Sequence, residues 1–480
     1  MKTPSQSATG AVATAAAAPA SDVEQALYEA RRKIYPRAVT GWFATWRWTL
    51  VALTQAVFYG LAWLPWNGRQ AVLFDLAHRK FFIFGLVLWP QDIVYLTVLL
   101  VLSALSLFLF TAIAGRLFCG YACPQTVYTE LFTWIERRIE GDRNARMKLD
   151  AGPITPRKIA RKSAKHAAWL LLAAWTGFTF VGYFTPIQTL AQETWTLSLG
   201  GWEAFWILFY GFATYGNAGF MREQVCKYMC PYARFQSAMF DKDTLVIAYD
   251  RQRGDPRGSR SRKADPRSLG LGDCVDCGLC VEVCPTGIDI REGLQYECIG
   301  CGGCIDACNQ IMSRMGYPKG LIRYSTENAV RHAWSPAQIW RRVARPRVLI
   351  YSALLCTVAA GAVSALALRV PLKVDVIRDR AALAREAEDG TVENVYRLQV
   401  MNTEEQGHRY RIEVEGIDGI ALGSQPLVEV PPAAVRTVVV EVHVPPGHGV
   451  PGSNRIRFGV AGDDGSSTRV VEKSVFLVPR

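Results

Sequence analysis

Histidine is scarce in this chain, 6 in 480 residues, and no Cys-x-x-Cys-His run occurs. Covalently attached haem is thereby excluded. Only His166 lies near the end of an apolar stretch, which argues against haem held between helices. Acidic residues are in deficit, 42 against 54 basic, giving a net charge of +12. The first thirty residues are rich in Ala, Ser and Thr but have one lysine and no Leu-rich run. They read as a disordered tail and not as a signal peptide. Lys and Arg are missing altogether from 186–201, and cysteine from the residues after 370.

Cysteine is abundant elsewhere. Of the 13 cysteines, two sets form matching runs: CVDCGLCVEVCP, with Cys274, Cys277, Cys280, Cys284 and Pro285, and CIGCGGCIDAC, with Cys298, Cys301, Cys304 and Cys308. The C-x2-C-x2-C-x3-C spacing is that of bacterial two-cluster ferredoxins, in which the fourth cysteine of each run ligates the other cluster. One 4Fe-4S cluster is therefore expected on Cys274, Cys277, Cys280 and Cys308, the other on Cys298, Cys301, Cys304 and Cys284. Zinc sites separate their two pairs more widely and often add histidine, which is absent nearby. Disulfides require an oxidising compartment. One departure stands out: Asn309 follows Cys308 where Pro285 follows Cys284.

Five stretches are apolar enough to span a bilayer, which takes about 20 residues: approximately 46–65, 93–115, 167–185, 202–221 and 348–369. The first is interrupted by Arg47 and Gln55. A shorter run, 81–90, reads as re-entrant or interfacial. Basic residues crowd the segments before span one, after span two and before span five (Arg341, Arg342, Arg345, Arg347). The positive-inside rule then places the N-terminus and the paired cysteine runs in the cytoplasm and the C-terminus outside. The net charge follows from that orientation and from anionic-lipid contact; no nucleic-acid role is inferred. The run RQRGDPRGSRSRKADPR at 251–267 reads as a flexible, solvated linker.

After span five, alternating strands are expected at 372–377, 395–402, 410–416, 435–444, 455–462 and 471–478, which makes a small β-sandwich. His408, His443 and His448 read as isolated surface histidines and not as copper ligands.

The remaining clustered cysteines form two copies of C-x3-C-P: Cys119 and Cys123 in CGYACP after span two, Cys226 and Cys230 in CKYMCP after span four. An arginine precedes each (Arg116, Arg222), so spans one–two and three–four read as a repeated unit. The residue before proline leaves the α region, and proline suits the first position of a helix. Cys123 and Cys230 are thus expected at helix N-termini, where thiolates are favoured. Four thiolates at one membrane face suit a soft ion such as Cu(I). Cys356, alone in span five, reads as a buried apolar residue.

With five spans, two CxxxCP motifs, a two-cluster insert and a C-terminal β domain, the chain resembles the CcoG/FixG/RdxA family, accessory proteins of cbb3-type cytochrome c oxidases. VLFDLAHRKFFIFGLVLWPQD at 72–92 is similar to that family's periplasmic loop. NapH- and NosR-like membrane ferredoxins share the cysteine motifs but not these two features. The resemblance implies an α-helical polytopic inner-membrane protein with an inserted ferredoxin domain and a C-terminal all-β immunoglobulin-like sandwich. The parts are a tail at 1–45, a four-span domain at 46–240, a linker at 241–270, the ferredoxin domain at 271–325, a basic segment at 326–347, span five at 348–369 and a periplasmic domain at 370–480. It further implies reduction of Cu(II) to Cu(I), with the clusters supplying electrons and Cys119, Cys123, Cys226 and Cys230 holding copper. Expected partners are the lipid bilayer, a copper transporter or chaperone, a cytoplasmic electron donor and a second copy of the chain. The competing readings are a respiratory electron conduit between quinol and a partner reductase, and a redox-sensing scaffold.

Overall fold

The structure, a computed structural model, describes residues 33–265, 268–379, 384–463 and 468–479. The tail expected over 1–30 lies outside them. Residues 33–40 run extended and are pinned: Lys33 and Tyr35 both reach Asp150, at 2.5 and 2.6 Å.

All five apolar stretches fold as helices: Trp42–Trp63, Ile93–Ala114, Pro156–Val181, Gly201–Thr214 continued by the π-helical Tyr215–Met221, and Pro346–Ala367. Among the described residues, two helices are long and apolar enough to cross a membrane, Pro90–Ala114 and Pro346–Ala367. A helix of 22 residues is roughly 33 Å long. The third helix starts well before its apolar run because Thr155 caps it, accepting from the Lys158 N–H, and Pro156 takes its first position. Glycines let the third and fourth helices approach closely: a side chain on Gly177 would collide with the Ile207 carbonyl. The second and fifth helices pack side by side, and the Tyr95 hydroxyl donates to the Ala365 carbonyl at 3.1 Å. Cys356 is exposed on the outer face of the fifth helix, contrary to the expectation of burial. A helix that packs along one stripe leaves its other faces open.

At one end of the helices, residues 72–88 form a three-stranded antiparallel sheet, Val72–Asp75, Lys80–Ile83 and Leu86–Leu88. The run at 81–90, expected to be re-entrant or interfacial, is therefore part of a sheet and not a re-entrant segment. Its apolar side chains bury instead against the C-terminal domain: Leu73, Phe82, Val87 and Trp89 share a core with Met401. Asp92 clamps the junction. It is 6% exposed and pairs with Arg369 at 2.7 Å and with Lys373.

The C-terminal domain is a two-sheet antiparallel sandwich. One sheet has the order Ala421–Leu422, Val435–Val444, Val392–Asn402, Leu372–Arg378, with Arg385–Glu386 on its edge. The other runs Leu427–Val430, His408–Glu415, Gly452–Gly462, Arg469–Val478. Period-two alternation puts Tyr396, Leu398 and Val400 between the sheets with Phe458 and Phe476. His408, His443 and His448 each face a different carboxylate, Glu404, Glu393 and Asp418.

The ferredoxin domain sits at the opposite end of the helices. Its first strand, Val246–Tyr249, pairs antiparallel with its last, Ile322–Ser325. The segment read as a linker thus begins inside the domain. The basic run that follows is not a free linker, because its arginines are engaged. Arg253 pairs with Asp273 at 2.5 Å. Arg260 donates to the carbonyls of Gly258, Gly272 and Cys274 at 3.1, 2.7 and 3.2 Å. The domain also caps the first helix: the Asp306 carboxylate accepts from the Ala44 N–H at 2.8 Å.

Candidate functional site

The two cysteine runs enclose two cavities. One is lined by Cys274, Cys277, Cys280 and Cys308. The other is lined by Cys284, Cys298, Cys301 and Cys304, and by Cys280, which lines both cavities. A single helix, Gly303–Met315, serves both. Its Cys304 faces one cavity and its Cys308, one turn on, the other. Asn309 continues this helix and its side chain accepts from the Gly320 N–H at 2.9 Å. Proline there would break the helix that carries two of the ligands. Gly278 and Gly302 start the short helices of the two runs in the left-handed region, at φ of 70° and 73°.

Among the described residues, no three His, Cys, Asp or Glu side chains converge as ligands of one ion. Each cavity, with four separated sulfurs and apolar walls, fits a multi-iron cluster that takes one thiolate per corner. Burial pushes the Cys280 thiol up to about 11 and the Cys298 and Cys308 thiols up to about 12. Cluster assembly must therefore displace protons.

The CxxxCP cysteines lie where the second and fourth helices end. Cys123 and Cys230 precede the helices Pro124–Glu140 and Pro231–Met239, with extended backbone. Cys119 lies on the short helix Leu117–Tyr121, and Cys226 on the π-helical Val225–Met229. Cys226 couples electrostatically to Cys119, Cys123 and Cys230, so the four thiols form one group. With no metal bound, burial works against the thiolate form at three of the four. Burial pushes Cys119 up to about 11 and Cys226 up to about 12. Burial also raises Cys123, outweighing the N–H groups of Gln125 and Thr126 that favour its thiolate. The Cys119 thiol instead faces the Oε1 of the fully buried Gln236 at 3.4 Å.

The repeat is real but offset from its sequence alignment. Gly115 at φ 53° and Arg222 at φ 41° each stand four residues before the first cysteine of their motif and turn the chain there. A side chain at Gly115 would press on the Leu245 carbonyl at 3.1 Å. Arg116 and Arg222, the arginines seen in sequence, are not equivalent. Arg116 donates to the carbonyls of Ala233, at 2.8 Å, and Tyr296. Arg222 pairs with the buried Glu136 at 2.8 Å, and Glu136 also holds Arg146 at 2.9 Å.

The thiol group abuts one cluster cavity and not the other. Gly120, in the first motif's spacer, packs against Ile299 and Gly300, between Cys298 and Cys301. Lys227, in the second spacer, pairs with Glu297 at 3.4 Å. A further cavity between the two parts is lined by both Cys226 and Cys301. Gly120, Gln236 and Arg260 were missed in the sequence. The one available signal was that the first spacer has glycine where the second has lysine.

A helical part with docked 4Fe-4S domains and a separate β-sandwich defines an iron–sulfur protein of ferredoxin type. The comparisons specify it further. The model for a 4Fe-4S dicluster domain matches residues 221–327, that for a 4Fe-4S binding domain matches 96–141, and that for the immunoglobulin-like fold at the C-terminus of FixG matches 362–479. The chain is 39% identical to Protein RdxA of Cereibacter sphaeroides over 88% of this chain and 91% of that one. It is 36% identical to the nitrogen fixation protein FixG of Rhizobium meliloti over 96% and 95%. It is 23% identical to the ferredoxin-type protein NapH of Escherichia coli over 51% and 88%. A crystal structure of a FixG-related protein from Vibrio parahaemolyticus matches 22% of this chain and 95% of that one, with 25% identity and a TM-score of 0.21. The chain belongs to the FixG/RdxA family.

Proposed function

We propose that this chain is a bacterial inner-membrane electron-transfer protein that reduces Cu(II) to Cu(I) at its four CxxxCP thiols. The copper is destined for the copper centre of a cbb3-type cytochrome c oxidase. Cys274, Cys277, Cys280 and Cys308 hold one 4Fe-4S cluster and Cys298, Cys301, Cys304 and Cys284 the other, and these groups supply single electrons. The observation that carries this reading is the packing of Gly120 on Ile299 and Gly300. It brings Cys119 and Cys123 against the loop that holds the second cluster. Thiolates favour Cu(I) over Cu(II), so a one-electron reduction is driven by the ligand set itself. Copper is here the substrate. It leaves by thiol exchange to a transporter or chaperone.

The helices and the positive-inside rule support the proposed placement in the membrane. The ferredoxin domain faces the cytoplasm, and the sandwich with the 72–88 sheet faces the periplasm. Their position at opposite ends of the helices supports this.

A second reading is favoured by the match of the 4Fe-4S binding domain over 96–141 and by the lack, among the described residues, of a single-ion arrangement. In it the four thiols hold a further iron–sulfur centre, and the chain is a conduit to a partner reductase. Iron, sulfide and copper measured together in anaerobically purified protein separate the two. The copper reading expects iron for two clusters, bound copper, and Cu(II) reduction that is lost with its copper in Cys123→Ser/Cys230→Ser. Iron in excess of two clusters that disappears in that variant would overturn it in favour of the conduit.

A further inference from the structure

We propose that the surface around Cys277 is the docking site of an acidic one-electron carrier protein, the donor to this chain. The proposal rests on the electron-transfer reading above. Cys277 is exposed, whereas the other seven cysteines of the two runs are buried or half-buried. The second cavity is hemmed in by the helices. The first is therefore the one that a soluble partner can approach closely.

A basic run packs on the Cys274 side of that cavity, and the reason is structural. The run at 251–265 carries six basic residues and two acidic ones. It does not drift away from the domain. The Gly258 N–H donates to the Cys274 carbonyl at 3.3 Å, and Arg260 holds the same carbonyl. Most of the acids nearby are already engaged, the exposed Glu292 excepted. Arg291 takes both Asp276 and Asp289, Arg253 takes Asp273, and Arg257 lies 3.6 Å from Asp255. Arg251, Arg262 and Lys263 are exposed and, among the described residues, in no ion pair. Leu294, 51% exposed, adds an apolar contact beside Arg251, whose guanidinium lies near Gly293. An apolar contact beside a basic run selects a negatively charged partner, steers it and releases it readily, which suits transient electron transfer. One electron leaves the carrier's reduced centre and enters the centre held by Cys277, and no proton or bond is exchanged.

The test uses the full chain in nanodiscs of uncharged lipid with an acidic 2Fe-2S ferredoxin as probe. Binding is read by surface plasmon resonance and cluster reduction by EPR. Binding is expected to weaken about tenfold or more between low and high salt. Arg262→Glu/Lys263→Glu should weaken it by a similar factor, while reduction by dithionite and both cluster spectra stay unchanged. Affinity that ignores both salt and charge reversal would overturn the proposal. So would anionic vesicles, and not the ferredoxin, binding this face in an Arg262- and Lys263-dependent way. Copper enters neither readout, so loss of Cu(II) reduction with ferredoxin binding intact would count against the earlier reading alone.

Discussion

The backbone of Gly120 lies directly against that of Gly300: a Cβ on Gly120 would fall 2.8 Å from the carbonyl oxygens of both Ile299 and Gly300. No flexible side chain is there to give way, so any larger residue forces the thiol motif and the cluster loop apart. Gly120→Val should retain iron and sulfide for both clusters yet slow metal reduction on the order of 10- to 100-fold. Stopped-flow oxidation of the pre-reduced protein by Cu(II) measures this. Gly60→Ala, with nothing within 4 Å, is the control. Equal rates in the two variants would show that the junction is not on the path.

The crossing of ligands on the helix Gly303–Met315 gives a second prediction. Cys308→Ala should damage the cluster held with Cys274, Cys277 and Cys280 and leave the other, while Cys284→Ala should do the reverse. EPR of the reduced variants distinguishes them, and the opposite pattern would overturn the crossing.

Asp92 should anchor the C-terminal domain. It is buried between Arg369 and Lys373 and accepts from the Trp89 N–H at 3.0 Å. Asp92→Ala leaves two cations without their partner and should cost on the order of 3–5 kcal/mol locally. The expected sign is faster hydrogen exchange at the 72–88 sheet and at 369–375, with both clusters intact.

A pH effect is expected at Asp150. Burial alone would raise its carboxyl, but hydrogen bonds from Lys162, Lys33 and Tyr35 outweigh that and hold it well below the usual carboxylate range. Its stabilisation is therefore present above about pH 4 and is lost as pH falls further toward the depressed value. Limited proteolysis at 33–40 should increase only under that acidification in the wild type, but already at neutral pH in Asp150→Asn. Equal protection of that segment in the two proteins at neutral pH would sink the assignment.

Much of the chain was legible because its signals are local. The spacing of Cys274 to Cys308 depends on loops of two or three residues, and Pro124 and Pro231 fix helix starts whatever surrounds them. Strand alternation in 392–402 needs only a two-sided sheet. The failures were of another kind. The run at 81–90 is apolar because Phe82 and Val87 meet Met401, more than 300 residues on in the chain. The arginines of 251–260 looked solvated because the carbonyls they bind, at Gly272, Cys274 and Lys319, are brought to them only by the fold. Cys123 does sit at a helix start, yet the burial that raises its thiol comes from neighbours brought by the fold.

By itself, then, the sequence determined the paired cysteine runs of a ferredoxin-type protein, the apolar helices and the strand periodicity, each governed by spacing of a few residues. Tertiary structure alone decided which cluster loop meets the CxxxCP thiols and which opens at Cys277. Those relations join residues such as Gly120 and Gly300, 180 positions apart. Close backbone packing and desolvation exist only once the chain has folded.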